Sequence, residues 1–477
     1  MKKALITTAI PYVNDKPHIG FALEAIQADA LARYFRFLGY KTFFLTGTDE
    51  NAIKNAQKAK ELGISTQQLV DKNSLNFYRL KNLLNLSFDN FIRTTSAEHK
   101  KGAQKFWLLC KKDIYKKTYK GLYCTGCESF YKNGEFKDNY CPYHNQPLEK
   151  VEEENYFFAL SKYQKKLIEI YEKNKIKIVP EFRKKEILQF IKKGLEDFSI
   201  SRPKERTYGW GIDVPEDPSQ KIYVWFDALV NYLTGLSFSK NSQNFQDFWL
   251  ENNNKIHIIG KDIIKFHLIY WPAMLMSAKL PLPNKIFIHG FLTLNKKKIS
   301  KSLGNVVHPE ELVKKYGTDA TRYYFLREII AWDDGDFSFQ RMEEIYNSEL
   351  SNELGNLLSR ITSLAQKDNL VTNFKKPSWK KLMPQKFHEY VENFQLHLAM
   401  EQIRKTIQAL NKRVDIEAPW KKPPEKRKGF LKKILFELYK LGLVLQPFLP
   451  ETGKTIEKSC IGKIKKIKPL FPKLKKT

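Results

Sequence analysis

Residues Lys3–Leu45, KALITTAI PYVNDKPHIG FALEAIQADA LARYFRFLGY KTFFL, decide the fold class. Lys3–Ile10 is a short apolar run and reads as a strand. Pro11–Pro17 has proline at both ends and Asn14-Asp15 inside, which excludes helix. From Phe21 to Leu38, Ala22, Ile26, Ala30, Tyr34 and Phe37 recur at helical spacing, and Gly39 follows as a stop. Thr42–Leu45 is a second strand. Strand, helix and strand at this length form a crossover unit, which predicts a parallel sheet with helices on its faces. Such sheets bind ligands at the carboxyl ends of their strands, where helix N-termini offer N–H groups to anions. His18-Ile19-Gly20 falls at that place. Gly20 permits close backbone approach, and His18 can donate to a phosphate oxygen. Alone, the triplet reads as a helix cap before it reads as a phosphate site. No Gly-x-Gly-x-x-Gly follows the strand, so a dinucleotide is not expected.

Outward from this unit the pattern changes three times. It breaks near residue 115, where Tyr115–Pro147 is rich in Gly, Cys, Tyr and Lys, and a mixed basic stretch runs on to about Pro215. Strand-like runs resume at Lys221–Val224, Lys255–Ile259 and Lys285–His289. After Phe339 the pattern is almost wholly helical. These changes predict an α/β domain in two halves, 1–114 and 216–297, split by an insertion at 115–215. A loop and connector follow at 298–342, then an all-α bundle with a basic tail at 343–477.

The composition sets bounds. Of 477 residues, 42% are hydrophobic and 13% aromatic, enough for large cores and unlike a disordered chain. No apolar run approaches a membrane span, and the start lacks a secretory leader pattern. Five cysteines are too few for a disulfide scaffold, which fits a reducing, cytoplasmic setting. Lys+Arg is 82 against Asp+Glu 52, a net charge of +30. That surplus points to a polyanion, nucleic acid first, although a Lys-rich codon bias would look the same.

Two further motifs carry chemistry. Cys124-x-x-Cys127 and Cys141-x-x-His144 offer four ligands at the two-plus-two spacing of a tetrahedral, structural Zn²⁺ site. A redox Cys-x-x-Cys with bystanders is the competing reading. Lys298-Ile299-Ser300-Lys301-Ser302-Leu303-Gly304-Asn305 is a basic, polar loop suited to a triphosphate. As a charge run alone it would be a solvated face. Paired with the earlier His-x-Gly loop it points to nucleotide chemistry.

These two loops look like the signatures of the class I aminoacyl-tRNA synthetases. Asn14, Gly47-Thr48-Asp49-Glu50, Val224-Trp225-Phe226-Asp227-Ala228, Gly260-Lys261-Asp262, Phe266-His267, Trp271-Pro272-Ala273, Asn356-Leu357-Leu358-Ser359-Arg360 and Ala418-Pro419-Trp420 resemble the methionyl-tRNA synthetases in particular. The matches keep family order and spacing from residue 5 to the end. The resemblance implies a Rossmann-type parallel-sheet catalytic domain split by a zinc-binding insertion, a connector and an α-helical anticodon-binding bundle. It implies activation of methionine by ATP and transfer to initiator and elongator tRNA(Met), with Mg²⁺ accompanying ATP and one zinc per chain.

The same resemblance assigns residues. His18, Lys298 and Lys301 would act on the phosphates as catalytic groups. Asn14, Gly20, Gly260, Asp262, Gly290 and Ser300 would join them in holding ATP. Asp49 would take the methionine ammonium with backbone help near Ile10. Tyr12, Trp225, Ala228, Tyr232, Ile263, Phe266, His267 and Trp271 would wall the side chain, although Trp225, Trp271 and His267 taken singly read as core. Asn356, Arg360 and Trp420 would read the anticodon. The domain that makes the family's dimers does not follow the bundle, so a monomer is expected. One departure stands out: Phe21 occupies the place of the first signature's second histidine, and Phe cannot donate to a phosphate oxygen. Asn51-Ala52 likewise replaces a common His-Gly, and Ile299 the usual Met. Phe21 motivates the rival reading of a non-catalytic tRNA-binding relative.

Overall fold

The fold was analysed in a computed structural model, which describes residues 1–124, 129–131, 137–142, 146–299 and 305–474. Six parallel strands form the central sheet: β1 (Lys3–Thr8), β2 (Lys41–Thr48), β3 (Asn90–Arg93), β4 (Lys177–Val179), β5 (Lys255–Gly260) and β6 (Lys285–His289). Their spatial order is β3-β2-β1-β5-β6-β4. β1 and β5 are buried almost throughout, as parallel strands covered on both faces must be. Leu5 pairs with Phe43 on one side and Lys255 on the other. The chain moves outward from β1 in opposite directions, so the strand order reverses between β1 and β5. The crevice beyond their carboxyl ends is the natural ligand site of this architecture.

Helix α1 (Ile19–Phe37) makes the β1–β2 crossover anticipated from the opening residues. It is buried nearly all round, because the sheet covers one side and helix α2 (Thr318–Arg327) the other. Asp29 of α1 is therefore enclosed, and it pairs with the fully buried Arg322 of α2 at 2.8 Å. Arg322 also donates to the carbonyls of Leu84 and Phe448, which ties α1 to the helical bundle.

Ile114–Cys124 and Glu149–Phe158 pair antiparallel as the long central strands of a four-stranded arm, from Ile114 opposite Phe158 to Tyr123 opposite Glu149, with Ser129–Tyr131 and Phe198–Ser199 at its edges. The chain then returns to the central sheet: β4, inside the stretch expected as an insertion, pairs in parallel with β6. The expected strand at Lys221–Val224 differs in the structure. Asp217–Ile222 pairs antiparallel with Ser201–Pro203 and Asp213–Val214 in a separate small sheet, and a helix begins at Val224. A short apolar run does not distinguish a strand from a buried helical turn.

The C-terminal part packs α3 (Asn356–Lys367), α4 (Leu396–Glu417) and α5 (Pro424–Leu445) around Leu357, Ile361, Ile403 and Leu435. The tail lies back on this bundle. Gly462–Lys463 pairs with Val371–Thr372, and Phe471 is buried against Tyr346. Among the described residues no helix is long and apolar enough to cross a membrane.

Candidate active site

His18 caps α1 with an extended backbone, φ −112° and ψ 173°. Its Nδ1 accepts from the Gly20 N–H at 3.1 Å, so in the neutral ring the proton sits on Nε2. The exposed ring thus presents a donor at the crevice between β1 and β5. A Cβ at Gly20 would lie 2.9 Å from His18 Cε1, so the residue must be glycine for this ring position. Phe21 turns into apolar packing instead. Its ring meets Phe77 edge-on at 5.1 Å, beside Val13 and Val70. Asn14 lies half-buried in the loop before His18. The backbone of Lys298 belongs to a short strand paired with Leu292–Leu294, while Ser300 and Lys301 lie outside the described residues.

Gly260 ends β5, and a Cβ there would meet Asp262 Oδ1 at 2.8 Å. Gly290 follows β6, where a Cβ would fall 2.0 Å from the Asp333 carbonyl oxygen; no side chain fits that backbone approach. Between these two turns, His289 Nε2 and Glu24 Oε2 are 2.8 Å apart, and Glu24 Oε1 accepts from the Ala9 N–H at 2.7 Å. Burial raises the Glu24 pKa; burial works against charge on His289, but the Glu24 carboxylate raises its pKa overall. The pair therefore holds one proton between them.

Next to these turns lies an aromatic cleft. Asp49, buried at the end of β2, bonds through its N–H to the Pro11 carbonyl at 2.8 Å and bridges to Tyr12. The neighbouring Glu50 is engaged elsewhere: Arg93 donates to both its oxygens, at 2.7 and 3.0 Å. Tyr12 and Trp225 pack over Ala52 and Val224, and Trp225 stacks on Phe266 with centroids 3.7 Å apart. Ala228 and Tyr232 are buried behind them, with Ile263 and Ile10 half-buried at the margin. His267 Nδ1 faces the Ile263 carbonyl at 3.0 Å, so it must donate there. Its Nε2, 2.7 Å from the Tyr232 hydroxyl, then accepts. Burial pushes His267 down to about 4 and Tyr232 well above its ordinary range, so both stay neutral. Trp271 is completely enclosed and packs against Tyr232 with ring centroids 5.9 Å apart.

The comparisons with known proteins agree with this geometry. The family described as tRNA synthetases class I (M) matches residues 4–148 and 134–362. The methionine–tRNA ligase of Thermotoga maritima is 41% identical over 474 residues, covering 95% of this chain and 74% of the relative. That of Brucella suis is 41% identical over 475 residues, covering 95% and 91%. The structure of Mycobacterium tuberculosis methionyl-tRNA synthetase in complex with methionyl-adenylate superposes with TM-score 0.88 at 37% identity, covering 96% of this chain and 93% of that one. The chain belongs to the methionine–tRNA ligases.

Membership of that family gives weight to residues that the sequence motifs left unnoticed. His257 in β5 accepts from Trp271 Nε1 at 3.3 Å and stacks under Tyr232 at 4.1 Å. With Nε2 accepting, its Nδ1 donates to Thr7 Oγ1 at 2.7 Å, which locks the cleft wall to β1. Asn51, noticed only as a departure from the ligase pattern, donates to Asp227 at 2.8 Å, and its N–H to Asp49 at 3.3 Å. Asp227 in turn faces the buried His99 at 2.6 Å. Alternation in a strand could have flagged His257 as a polar residue in a buried run. The Asn51–Asp227–His99 contacts join residues far apart in sequence and left no local signal.

The remaining expected sites fall on the arm and in the bundle. Cys124 and Cys141 are fully buried in one small cluster with Leu122 and Leu148, and Gln146 Nε2 donates to Cys124 Sγ at 3.4 Å. That donor suits a thiolate, and the cluster joins the two halves of the expected ligand set. Cys127 and His144 lie outside the described residues. Among the described residues no group of three or more His, Cys, Asp or Glu could hold a metal. In the bundle, the Arg360 guanidinium lies 4.8 Å over the Trp420 ring and bonds Asp415 at 2.9 Å. Asn356 is exposed one turn earlier on α3.

Proposed function

We infer that the chain is a methionine–tRNA ligase that joins methionine to the α-phosphorus of ATP and then transfers it to the 3′ end of tRNA(Met). The observation that carries this reading is the convergence, at one sheet crevice, of the His18 turn, the Gly260 and Gly290 turns and the aromatic cleft beside Asp49. The methionine carboxylate is already a nucleophile at neutral pH, so no general base is needed. It attacks the α-phosphorus, and the bond to the bridging oxygen breaks to release pyrophosphate. The protein's part is alignment and stabilisation of charge growing on the phosphates. His18 Nε2–H meets that charge, with Lys298, Ser300 and Lys301 from the second signature. Mg²⁺ accompanying ATP would supply further neutralisation of that charge. The Gly260 and Gly290 turns and Asp262 take the adenosine, and Asn14 lies against the phosphates. Asp49 holds the ammonium, while Tyr12, Trp225, Phe266, Tyr232, Ala228 and Ile263 enclose the flexible thioether, which packs well on aromatic faces.

Phe21 leaves one donor fewer, yet the family membership and the placement of His18, the Gly260 and Gly290 turns and the residues beside Asp49 favour catalysis over a merely tRNA-binding role. Zn²⁺ held by Cys124, Cys127, Cys141 and His144 would fix the arm that carries them. The bundle, through Asn356, Arg360 and Trp420, would bind the anticodon. The division into catalytic halves, insertion, connector and bundle belongs to the same proposal, as do a monomeric state and a cytoplasmic location. ATP–pyrophosphate exchange tests the reading. Exchange is expected with methionine and not with leucine, isoleucine or cysteine. No exchange with any amino acid in folded, zinc-replete protein would overturn it.

A further inference from the structure

With Phe21 in the place of the second signature histidine, His18 is the one imidazole that the first signature offers to the phosphates, so its placement matters more than in a two-histidine site. Two hydrogen bonds bracket it. The Ile19 N–H donates to the Val307 carbonyl at 3.1 Å. On the other side of His18, the Pro17 carbonyl is 2.9 Å from His308 Nδ1. A carbonyl only accepts, so His308 carries the proton on Nδ1 and donates it. Residues 17 and 19 are thus both tied to residues 307 and 308, and both are buried, while His18 between them is exposed. The clamp itself is fixed. The His308 N–H donates to Glu311 Oε1 at 2.9 Å, and Pro309 opens the following helix Pro309–Tyr316. On the far side of the turn, Phe21 is anchored against Phe77.

We propose that His308 is a positioning residue for the activation step: by donating to the Pro17 carbonyl it holds the His18 turn at the phosphates, in a signature whose second histidine is Phe21. The inference rests on the ligase reading above, and it deepens that reading by adding a residue after the second signature. A side chain that sets the place of a charge-stabilising donor affects the transition state far more than it affects folding. Misplacement by about 1 Å can cost on the order of 100-fold in rate.

The test compares His308→Ala and His308→Asn in ATP–pyrophosphate exchange. The Asn side-chain amide can replace Nδ1–H as donor to the Pro17 carbonyl. Expected for His308→Ala is a fall of about 10- to 100-fold in kcat/KM for ATP, with the KM for methionine unchanged. His308→Asn should lie within about 3-fold of the unsubstituted protein, because one neutral donor replaces another. Hydrogen exchange at the Ile19 amide, read by mass spectrometry or NMR, gives a second readout that needs no activity. It should quicken in His308→Ala and stay slow in His308→Asn. Three results would each overturn the proposal: Ala equal to the unsubstituted protein, Asn as poor as Ala, or equal losses for ATP and methionine together with a lowered Tm. Absence of methionine-dependent exchange in the unsubstituted protein would instead overturn the ligase reading. The Ile19 exchange rates would then still decide whether His308 holds the turn.

Discussion

His267 donates through Nδ1 to the Ile263 carbonyl and accepts through Nε2 from Tyr232, and both bonds require the neutral ring. Burial holds its pKa at about 4 against an ordinary 6.5. Between those values the unfolded chain binds a proton that the folded chain refuses. Stability from this residue is therefore full above pH 6.5 and lost as the pH falls towards 4. The whole window is worth on the order of 3 kcal/mol. Asp217 acts in a separate window: its pKa, lowered to about 2 first by the Ser219 hydroxyl, costs stability only below its ordinary 3.8. Thermal melts at pH 7.5, 6 and 5 should show a falling Tm, and His267→Gln should flatten that fall. An unaltered slope in His267→Gln would remove His267 as its source. His257 and His397, also lowered by burial, contribute to the slope that remains. At this scale the sequence displayed the side chains of the cleft through motif spacing. It could not display which ring nitrogen carries a proton, because that depends on the Ile263 carbonyl and on Trp271 Nε1 meeting the rings in space. Nor could it display that Trp271 is completely enclosed, since burial depth is a property of the packed helices.

The arm formed by Ile114–Cys124 and Glu149–Phe158 shows what one element can and cannot supply for itself. Among the described residues, the cluster at its far end holds Leu122, Cys124, Cys141 and Leu148, with Tyr131 packed against them. So small a cluster offers little apolar burial to oppose chain entropy, and small modules of this kind usually need a metal or disulfide. Binding of Zn²⁺ by the four proposed ligands would then be folding energy for the arm alone. Metal analysis of purified protein should give one zinc per chain. Chelation should expose Cys124 and Cys141 to thiol reagents and protease while the central sheet keeps its circular dichroism. Protein that lacks zinc yet protects both thiols would sink the assignment. The contrast with α1 explains which elements were legible. The helix repeats apolar residues along its own length, so its sequence announces it. β4 pairs with β6 across more than 100 residues of chain and has only three residues of its own, so nothing local marks it. Ile222 and Val224 belong to one apolar run, and only the partner strand Ser201–Pro203 determines where the strand stops.

Across the whole molecule the crevice and the bundle are joined through α1. His18 stands at its N-terminus, Glu24 and Asp29 lie along it, and Arg322 connects Asp29 to the carbonyl of Phe448 at the end of the bundle. Trp420, 45% exposed and stacked by Arg360, sits far along the chain from the residues proposed to meet ATP and methionine. The net charge of +30 gives the protein a general affinity for a polyanion, which makes such binding weaken as salt rises. Charge alone does not choose one tRNA; a stacked base at a fixed aromatic ring does so in part. Trp420→Ala should therefore raise the KM for tRNA(Met) in aminoacylation by about 10- to 100-fold, the value of one stacked base. It should leave methionine-dependent ATP–pyrophosphate exchange unchanged. Raising the salt should weaken the variant and the unsubstituted protein in parallel, because the phosphates are still met by the same lysines. Loss of exchange in Trp420→Ala would show that the bundle also shapes the crevice, through the Arg322 connection. Unchanged aminoacylation would remove Trp420 from recognition and leave it as an anchor of the turn between α4 and α5.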